Sequence, residues 1–304
     1  MNLLNFQTEK AMKEKDEGDR IVSVLIFLIV LLSGTAAAAG IFSGSGPGPF
    51  EIESVRGETV QIYGKGIYRH MSMDVAPQGI AQDAVTLFIA IPLLLIAFRR
   101  TLGGSVRARF LLAGVLGYFL VTYLFYLVMG MYNALFLVYT ALLGLTFFAF
   151  SMVMISLSRP DPGELFGVGT PHKSAGAFLM IDAVLIALLW LQVVVPPLLD
   201  GSIIPQQVEH YTTLIVQGLD LGLLLPLSFV SGLLFYRKRA FGYLLAPVYL
   251  GFLSLMMTAL VAKIIAMGML GQNIIPVIFI IPLIAAIAIV LLFKTLRSIG
   301  EPDR

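Results

Sequence analysis

Apolar stretches about as long as a membrane-spanning helix recur along the whole chain, separated by shorter polar connections. An α-helix needs roughly 20 apolar residues to cross a bilayer. Eight such stretches lie at 21–42, 84–98, 110–131, 134–157, 175–195, 213–236, 241–270 and 274–293. The second is short unless residues 81–83 extend it, and the seventh requires tilt or an extension beyond the bilayer. The pattern predicts an all-α polytopic membrane protein with eight transmembrane helices.

The composition agrees with this pattern and excludes several classes of protein. Hydrophobic residues make up 58% of the 304 residues and charged residues 12%, which is too apolar for a soluble domain of this size. The net charge of +2 is small, and the basic residues lie in short loops, so no nucleic-acid partner is expected. Cysteine is absent, which excludes disulfides, thiolate catalysis and cysteine-ligated metals. The bilayer is the one partner that the composition itself indicates.

The distribution of lysine and arginine predicts the orientation, because short cytoplasmic connections carry an excess of both. They occur at Arg99, Arg100, Arg107 and Arg109, at Arg159 and Lys173, at Arg237, Lys238 and Arg239, and at Lys294 and Arg297, but not in the connections 132–133, 198–212 and 271–273. Both terminal segments, 1–20 and 294–304, are therefore predicted to be cytoplasmic in a plasma-membrane protein. An open alternative is that the first stretch is a cleaved signal peptide, although five acidic and four basic residues precede it.

The first outer loop, residues 43–82, is the only sizeable segment expected outside the membrane. Residues 51–55, 59–63 and 67–69 favour strands, and glycine-containing turns separate them. We predict a small β-meander that leans on the outer ends of the helices, since so few strands are not stable alone. Its function is either that of a structural cap or that of a gate over a site.

Two aspartates within apolar stretches suggest an internal repeat. Asp83 is followed 16 residues later by a basic pair at Arg99, and Asp220 is followed 17 residues later by a basic cluster at Arg237. In both cases a long helix, a tight turn with asparagine and an apolar helix come next. We therefore expect two parallel four-helix halves, 21–157 and 175–293, joined by a cytoplasmic linker at 158–174.

The aspartates also define the candidate site, since ionisable groups in a membrane usually face a bundle interior or a cavity. Asp220 and Lys263 have similar predicted depths on consecutive helices, so we expect an ion pair between them. Asp83 is predicted at the water-accessible mouth. Where Asp220 faces the ammonium group of Lys263, Asp83 is expected to face the phenol of a tyrosine. The full set of predicted substrate- or ion-binding residues is Asp220, Lys263, Gln217, Asp83, Gln82, Tyr123 and Tyr126.

Other polar residues of the spans are expected to have structural roles. Tyr118, Thr122 and Tyr126 share one helical face, and cross-helix hydrogen bonds are the expected use of their hydroxyls. Asp182 is expected to bond to a neighbouring serine or tyrosine, with a place in the same pathway as the alternative. Trp190 lies near the outer end of its span, where tryptophan typically anchors a helix at the interface.

Catalytic and metal-binding patterns are weak. His70, Met71, Met73, Asp74, Glu209 and His210 are possible donors on the outer side, but no recognised ligand spacing joins them. Neither a phosphate-binding loop nor a serine-hydrolase elbow is present. No metal, no cofactor and no catalytic residue is predicted.

The resulting hypothesis is a transporter or permease for a small solute or ion, with its polar site in the outer half of the bundle. The alternative is a non-transporting subunit or receptor that docks a partner protein or a second copy of itself. A third possibility is an intramembrane enzyme that acts on a lipid-like substrate.

Overall fold

The computed structural model describes residues 3–158 and 161–301, with side chains from residue 17 onward. Over this part of the chain, eight helices are long and apolar enough to cross a membrane. The protein is therefore an all-α, multi-pass membrane protein, and the eight predicted helices are confirmed. Arg159, one of the residues that predict the orientation, lies outside the described residues.

Within the described ranges, sixteen elements follow one another, and two of the spans are each divided into three. The first half contains α1 (Leu3–Phe42), β1 (Phe50–Glu53), β2 (Thr59–Ile62), α2 (Ala76–Val85), the π-helical segment π1 (Thr86–Ala90), α3 (Ile91–Leu102), α4 (Val106–Val128) and α5 (Phe136–Leu157). The second half contains α6 (His172–Asp200), α7 (Ile215–Leu219), the π-helical segment π2 (Asp220–Leu224), α8 (Leu225–Tyr236), α9 (Ala240–Met269) and α10 (Val277–Arg297). Short 3-10 turns lie at Pro162–Leu165 and Gln206–Val208.

The second span begins earlier than its apolar stretch suggests. Its first helix, α2, starts at Ala76 rather than near residue 84, and Pro77 occupies the first turn. Proline is favoured there because the first helical N–H groups have no partner within the helix. The consequence is that Asp83 lies two turns inside the helix.

The second and sixth spans share an unusual interruption. Each contains a five-residue π-helical segment, followed by a twelve-residue α-helix with a proline, Pro92 or Pro226, in its first turn. Proline cannot donate the backbone hydrogen bond of a regular helix, and the wider π turn accommodates it within the membrane. Both segments thus hold backbone in a less common conformation, which is frequently found at functional sites.

The two halves meet along α4 and α9, which form the centre of the bundle. The backbones touch where Gly114 faces Gly251, since a Cβ on Gly114 would lie only 2.8 Å from the Cα of Gly251. Around this centre, α2 packs along α9, whereas α7, which begins the sixth span, barely touches α4. The polar segment of the sixth span is therefore less enclosed than that of the second.

Residues 43–75, which we call the hairpin loop, define one side of the bundle, and we call it the hairpin side. Strands β1 and β2 pair antiparallel, with Phe50 opposite Ile62. The predicted third strand at 67–69 is wrong, because these residues form a turn. Gly64 and Gly66 adopt left-handed conformations with φ of 75° and 59°, and the chain folds back so that Gly64 N–H donates to Arg69.

The opposite face holds the connections with Arg99 and Arg100 before α4 and with Arg237, Lys238 and Arg239 before α9, and we call it the basic side. The C-terminal residues up to Glu301 lie against it. Glu301 accepts hydrogen bonds from Ser105 and from the N–H groups of Val106 and Arg107 at the start of α4. Phe166, in the connection between the halves, pairs with Ile299 in an antiparallel bridge. The tail therefore joins both halves on this side.

Candidate functional site

Asp83 is the most enclosed of the predicted site residues. The Tyr68 hydroxyl donates to its Oδ2 over 2.5 Å, and the Tyr126 hydroxyl donates to its Oδ1 over 2.9 Å. Only 2% of Asp83 is exposed, so its expected position at a water-accessible mouth is wrong. The reason is that the hairpin loop folds over α2 and places Tyr68 between the carboxyl group and the hairpin side.

Two glycines make room for this arrangement. A Cβ on Gly40 of α1 would overlap the Asp83 carboxyl group, and a Cβ on Gly79 would lie 2.7 Å from the ring of Tyr68. Both approaches are closer than real side chains tolerate. Close packing of three segments around Asp83 therefore depends on the absence of side chains at these two positions.

Gln82, next to Asp83, belongs to a separate hydrogen-bond network with α4. Its Nε2 donates to the Tyr118 hydroxyl over 2.8 Å and to Thr122 Oγ1 over 3.1 Å. Tyr118 in turn lies 2.9 Å from Thr86, whose hydroxyl donates back to the Gln82 carbonyl. The expected cross-helix bonding of the α4 hydroxyls is present, and π1 is attached to α4 through it.

The two candidate tyrosines have different surroundings. Tyr126 contacts Asp83, as expected for a phenolic counterpart, whereas Tyr123 stacks between Phe119 and Tyr139. A cleft of about 150 Å³ opens beside Tyr126 between the hairpin-side ends of α4 and α5. Its lining residues are Tyr126, Leu127, Gly130, Met131, Tyr132, Asn133, Phe136 and Tyr139. The phenol of Tyr126 thus connects this cleft with Asp83.

Asp220 does not form the predicted ion pair. No carboxylate lies within 4 Å of Lys263 in the ranges 17–158 and 161–301, and Asp220 Oδ2 instead accepts a 2.8 Å hydrogen bond from the Trp190 indole. Trp190 is therefore a partner of an intramembrane carboxylate, in addition to the interfacial anchoring role predicted for it from the sequence. The ion pair was expected from equal depth, but depth leaves the direction of each side chain around its helix undetermined.

Lys263 still belongs to the same group of polar residues within the bundle. We call this group the polar layer, and its members are Asp83, Gln82, Tyr126, Tyr68, Asp220, Gln217, Trp190 and Lys263. It is partly buried on α9 and close enough to both Asp220 and Asp83 for their charges to interact with its ammonium group. Such interactions act over longer distances in a membrane-embedded bundle than in water. Gln217 is partly buried one turn before Asp220, and its side chain has no hydrogen bond to any described residue.

Asp182 also differs from expectation. It is 3% exposed on α6, and its Oδ1 has no hydrogen-bond partner within the described ranges. The nearby hydroxyls bond elsewhere, since Ser228 donates to the Leu179 carbonyl and Tyr249 to the Leu224 carbonyl. The expected bond from a serine or tyrosine to Asp182 is therefore wrong.

The hairpin loop is attached to both later loops on its side. Arg56 Nη2 donates to the carbonyls of Glu209 and Tyr211, and His210 Nε2 lies 3.0 Å from the His70 carbonyl. Gln272, beyond α9, donates to Asp74 over 2.7 Å. The loop that covers Asp83 is consequently bonded to the second half of the protein.

Burial shifts the titration of one group in the hairpin loop and of one group bonded to it. The pKa of Tyr68 is raised well above its usual value by burial and by the neighbouring charge of Asp83. The pKa of His210 is lowered by burial and by the charge of Arg56, although its bond to His70 opposes this. Tyr68 is accordingly a hydrogen-bond donor at neutral pH, and His210 favours its neutral form.

The histidines and acidic residues considered as metal donors do not form a metal-binding group. Among the described residues, no group of three or more histidine, cysteine, aspartate or glutamate side chains is placed to hold a metal ion.

Comparison with known proteins gives no match to this chain: no protein-family model, no curated protein and no solved structure matches it. Function must therefore be inferred from the polar layer itself.

Two members of this layer, Tyr68 and Trp190, were not among the predicted site residues. Tyr68 comes from a loop whose contact with the second span has no periodic signal in the sequence. Trp190 is the only tryptophan of the chain, and an aromatic residue near the end of a span usually indicates the interface. A search for a buried donor to match each intramembrane carboxylate would have considered both.

Proposed function

We propose that this protein is a transporter or permease for a small solute or ion, with its binding site in the polar layer between the two halves. The observation that carries the proposal is the arrangement of Asp83, Lys263 and Asp220. Two carboxylates stand beside π-helical segments of different spans, and the ammonium group of Lys263 on the central helix α9 lies near both without pairing with either. Ionisable groups are costly in the membrane and usually mark substrate or ion pathways.

We also infer that the two halves arose by duplication, although with a different alignment from the one suggested by the aspartates. A single shift along the chain superimposes π1 on π2, α3 on α8, Pro92 on Pro226 and the start of α4 on that of α9. The same shift places Asp83 opposite Gln217 and Thr86 opposite Asp220. Each half then has two polar positions one turn apart at its π segment. The carboxylate is Asp83 at the first position in the first half and Asp220 at the second position in the second half.

Parallel repeats of this kind often have their binding site at the interface between them. The contrast between the halves supports a defined state of such a transporter. Asp83 is covered by Tyr68 from the hairpin side, whereas Asp220 is half-buried beside the loosely packed α7. We interpret this as a state in which the first carboxylate is occluded and the second is partly accessible.

The orientation that we propose follows the positive-inside rule. The hairpin side would be extracytoplasmic, and the basic side, with both termini, would be cytoplasmic in the plasma membrane. Substrate would then approach through the hairpin side and interact with Asp220, Gln217 and Lys263. A cation or proton would bind at Asp220, or an anionic group of the solute would compete for Lys263.

The test is charge movement in proteoliposomes that contain the full chain. Concentration jumps of H⁺, Na⁺, K⁺ and a panel of zwitterionic solutes should produce a current or uptake with one of these probes. Asp220→Asn should abolish that signal without loss of folding, whereas Asp200→Asn, which alters an exposed aspartate at the end of α6, should retain it. Equal signals from the wild type and Asp220→Asn would contradict the proposal.

A non-transporting membrane subunit is the second candidate, and the outer helices favour it. Most side chains of α6 and α10 are apolar and few are buried within the protein, so that either lipid or another membrane protein would cover them. Purification with a stoichiometric membrane partner, together with no response to any probe, would favour this function over transport.

A further inference from the structure

Helices α6 and α8 form a tight seam that runs from the basic side toward the centre of the bundle. Gly176 and Gly232 face each other there, since a Cβ on either would lie 2.6 Å from the backbone carbonyl of the other. The His172 ring meets Phe235 edge to face at the basic end, with ring centres 6.0 Å apart. Farther along, the Ser228 hydroxyl donates to the Leu179 carbonyl. The seam therefore joins the two helices over about two turns.

Polar atoms without partners occur along these two helices. His172 Nδ1, Ser231 Oγ and Asp182 Oδ1 are buried, and none has a hydrogen-bond partner in the described part of the chain. His172, Leu179 and Asp182 share one face of α6, and Ser231 lies on the buried face of α8. Ser231 is 0% exposed and Asp182 is 3% exposed, so bulk water does not satisfy them. Native interiors leave few such atoms, and each requires an explanation.

An unpaired carboxylate charge is especially unfavourable at this position. Tyr249 on α9 lies near Asp182, but its hydroxyl is already donated to the Leu224 carbonyl in π2. Asp220, at the start of π2, is acidic and supplies no compensating positive charge. Helix α10, which also packs on α6, has no ionisable residue between Val277 and Phe293. A carboxyl group in such surroundings avoids the cost of an isolated charge by holding a proton or a cation.

We propose that Asp182 is a proton-binding site of this protein, reached from the basic side along the seam between α6 and α8. The carboxylate takes up one proton on Oδ1 and becomes a neutral carboxylic acid, and its ionisation returns the proton. His172 stands at the basic end of the seam, where its imidazole can exchange protons with the solvent. Ser231 supplies a hydroxyl on the facing helix.

The proton site lies beside the proposed transport site. Tyr249 is near both Asp182 and Asp220, and its hydrogen bond holds the end of π2 against α9. Protonation of Asp182 removes a negative charge next to this contact and thereby alters the balance of charge around Asp220. The use of this proton to drive transport rests on the proposed function, whereas proton binding by Asp182 does not.

Carbodiimide labelling tests the proton site without any transport assay. Dicyclohexylcarbodiimide is apolar and reacts with protonated carboxyl groups in membranes, because the acid proton passes to a carbodiimide nitrogen while the carboxylate oxygen bonds to the central carbon. Rearrangement gives a stable N-acylurea that mass spectrometry can localise. The full-length protein should acquire this adduct at Asp182 in detergent and in proteoliposomes. Asp182→Asn should remove it, and Asp220→Asn should retain it.

The pH dependence and the effect of Na⁺ distinguish a proton site from its alternatives. Above the pH at which Asp182 ionises, the adduct yield should fall about tenfold per pH unit, because the protonated fraction does. Absence of an adduct at Asp182 between pH 6 and 8, with other carboxyl groups labelled, would overturn the proposal. Protection by Na⁺ at constant pH would overturn it too, since the ligand would then be a metal ion. Labelling as expected with no transport of any probe would support the proton site and contradict the proposed function.

Discussion

The hydroxyl of Tyr68 and the Oδ2 atom of Asp83 are joined by a 2.5 Å hydrogen bond, which links an extramembrane loop directly to an ionisable group of the second span. The loop is also bonded to the connection before α7 through Arg56 and to the connection after α9 through Asp74. A change in the relative position of the two halves therefore affects the cover over Asp83.

Replacement of Tyr68 by phenylalanine tests this link. Tyr68→Phe removes the hydroxyl and leaves Asp83 with Tyr126 as its remaining side-chain donor. We expect a loss of about 1.5–3 kcal/mol, the usual contribution of a hydrogen bond to a charged group, seen as a lower melting temperature in detergent. Tyr63→Phe is the matched control, since the Tyr63 hydroxyl in the same loop has no hydrogen bond to the described residues. Equal melting temperatures for the two variants would contradict a stabilising link.

The glycine beside Asp83 provides a steric test. Gly40→Ala places a methyl group in the space of the Asp83 carboxyl group, and we expect destabilisation of about 1–3 kcal/mol from overpacking. Gly34→Ala on the same helix is the control, because its nearest neighbour would be 3.9 Å away, in ordinary contact. That variant should be neutral or slightly stabilising, since alanine favours helices more than glycine. Comparable melting temperatures of both variants would show that α1 does not pack against Asp83 as described.

The single tryptophan offers a direct measurement of the Asp220 environment. Because Trp190 donates its indole N–H to Asp220, the Asp220→Asn substitution should change the emission maximum or quantum yield of the intrinsic fluorescence. Asp200→Asn, ten residues beyond Trp190 on α6, should leave the spectrum unchanged. A solute or ion that binds at Asp220 should also alter this emission, and the response should disappear in Asp220→Asn. An unchanged spectrum in Asp220→Asn would exclude the hydrogen bond.

Acid should loosen the hairpin loop through His210. Burial and the charge of Arg56 lower the pKa of His210 in the folded protein, so the connection that carries His210 binds more protons when it is released from the hairpin loop than when it is bonded to it. The corresponding stability is fully present above the usual histidine pKa of about 6.5 and decreases as the pH falls below it. The wild type should therefore lose more thermal stability between pH 7.5 and pH 5.5 than His210→Gln does.

His70→Gln is the control for this prediction. The ring of His70 is exposed and accepts a hydrogen bond from its neighbour Arg69, and only its backbone carbonyl contacts His210. The His70→Gln variant should keep the pH dependence of the wild type. If the wild type, His210→Gln and His70→Gln all lose thermal stability with falling pH to the same extent, groups other than His210 cause the pH dependence.

The sequence was sufficient to predict the eight spans, because hydrophobic length is imposed by the bilayer itself. It was not sufficient for the partners of Asp220. Residue spacing predicted similar depths for Asp220 and Lys263, but partner choice depends on how each helix is rotated, and π2 changes that rotation in the middle of the span. The enclosure of Asp83 was missed for a different reason. An apolar stretch marks residues in lipid or in the core of the bundle, so a polar helical start covered by a folded loop leaves no comparable signal.

The contact of Gly114 with Gly251 determines which movements are available to the bundle. Because two backbones touch there, α4 and α9 cannot come closer, and the least disruptive relative motion is a tilt about this crossing. Lys263 lies 12 residues beyond it on α9, or about 18 Å along a regular helix, so a tilt of about 10° would displace its backbone by about 3 Å. A displacement of that size changes the distances between the ammonium group and the two carboxylates. The Gly114–Gly251 crossing would then act as a pivot. Tilting α9 about it would move Lys263, the lysine of the polar layer, relative to Asp83 and Asp220.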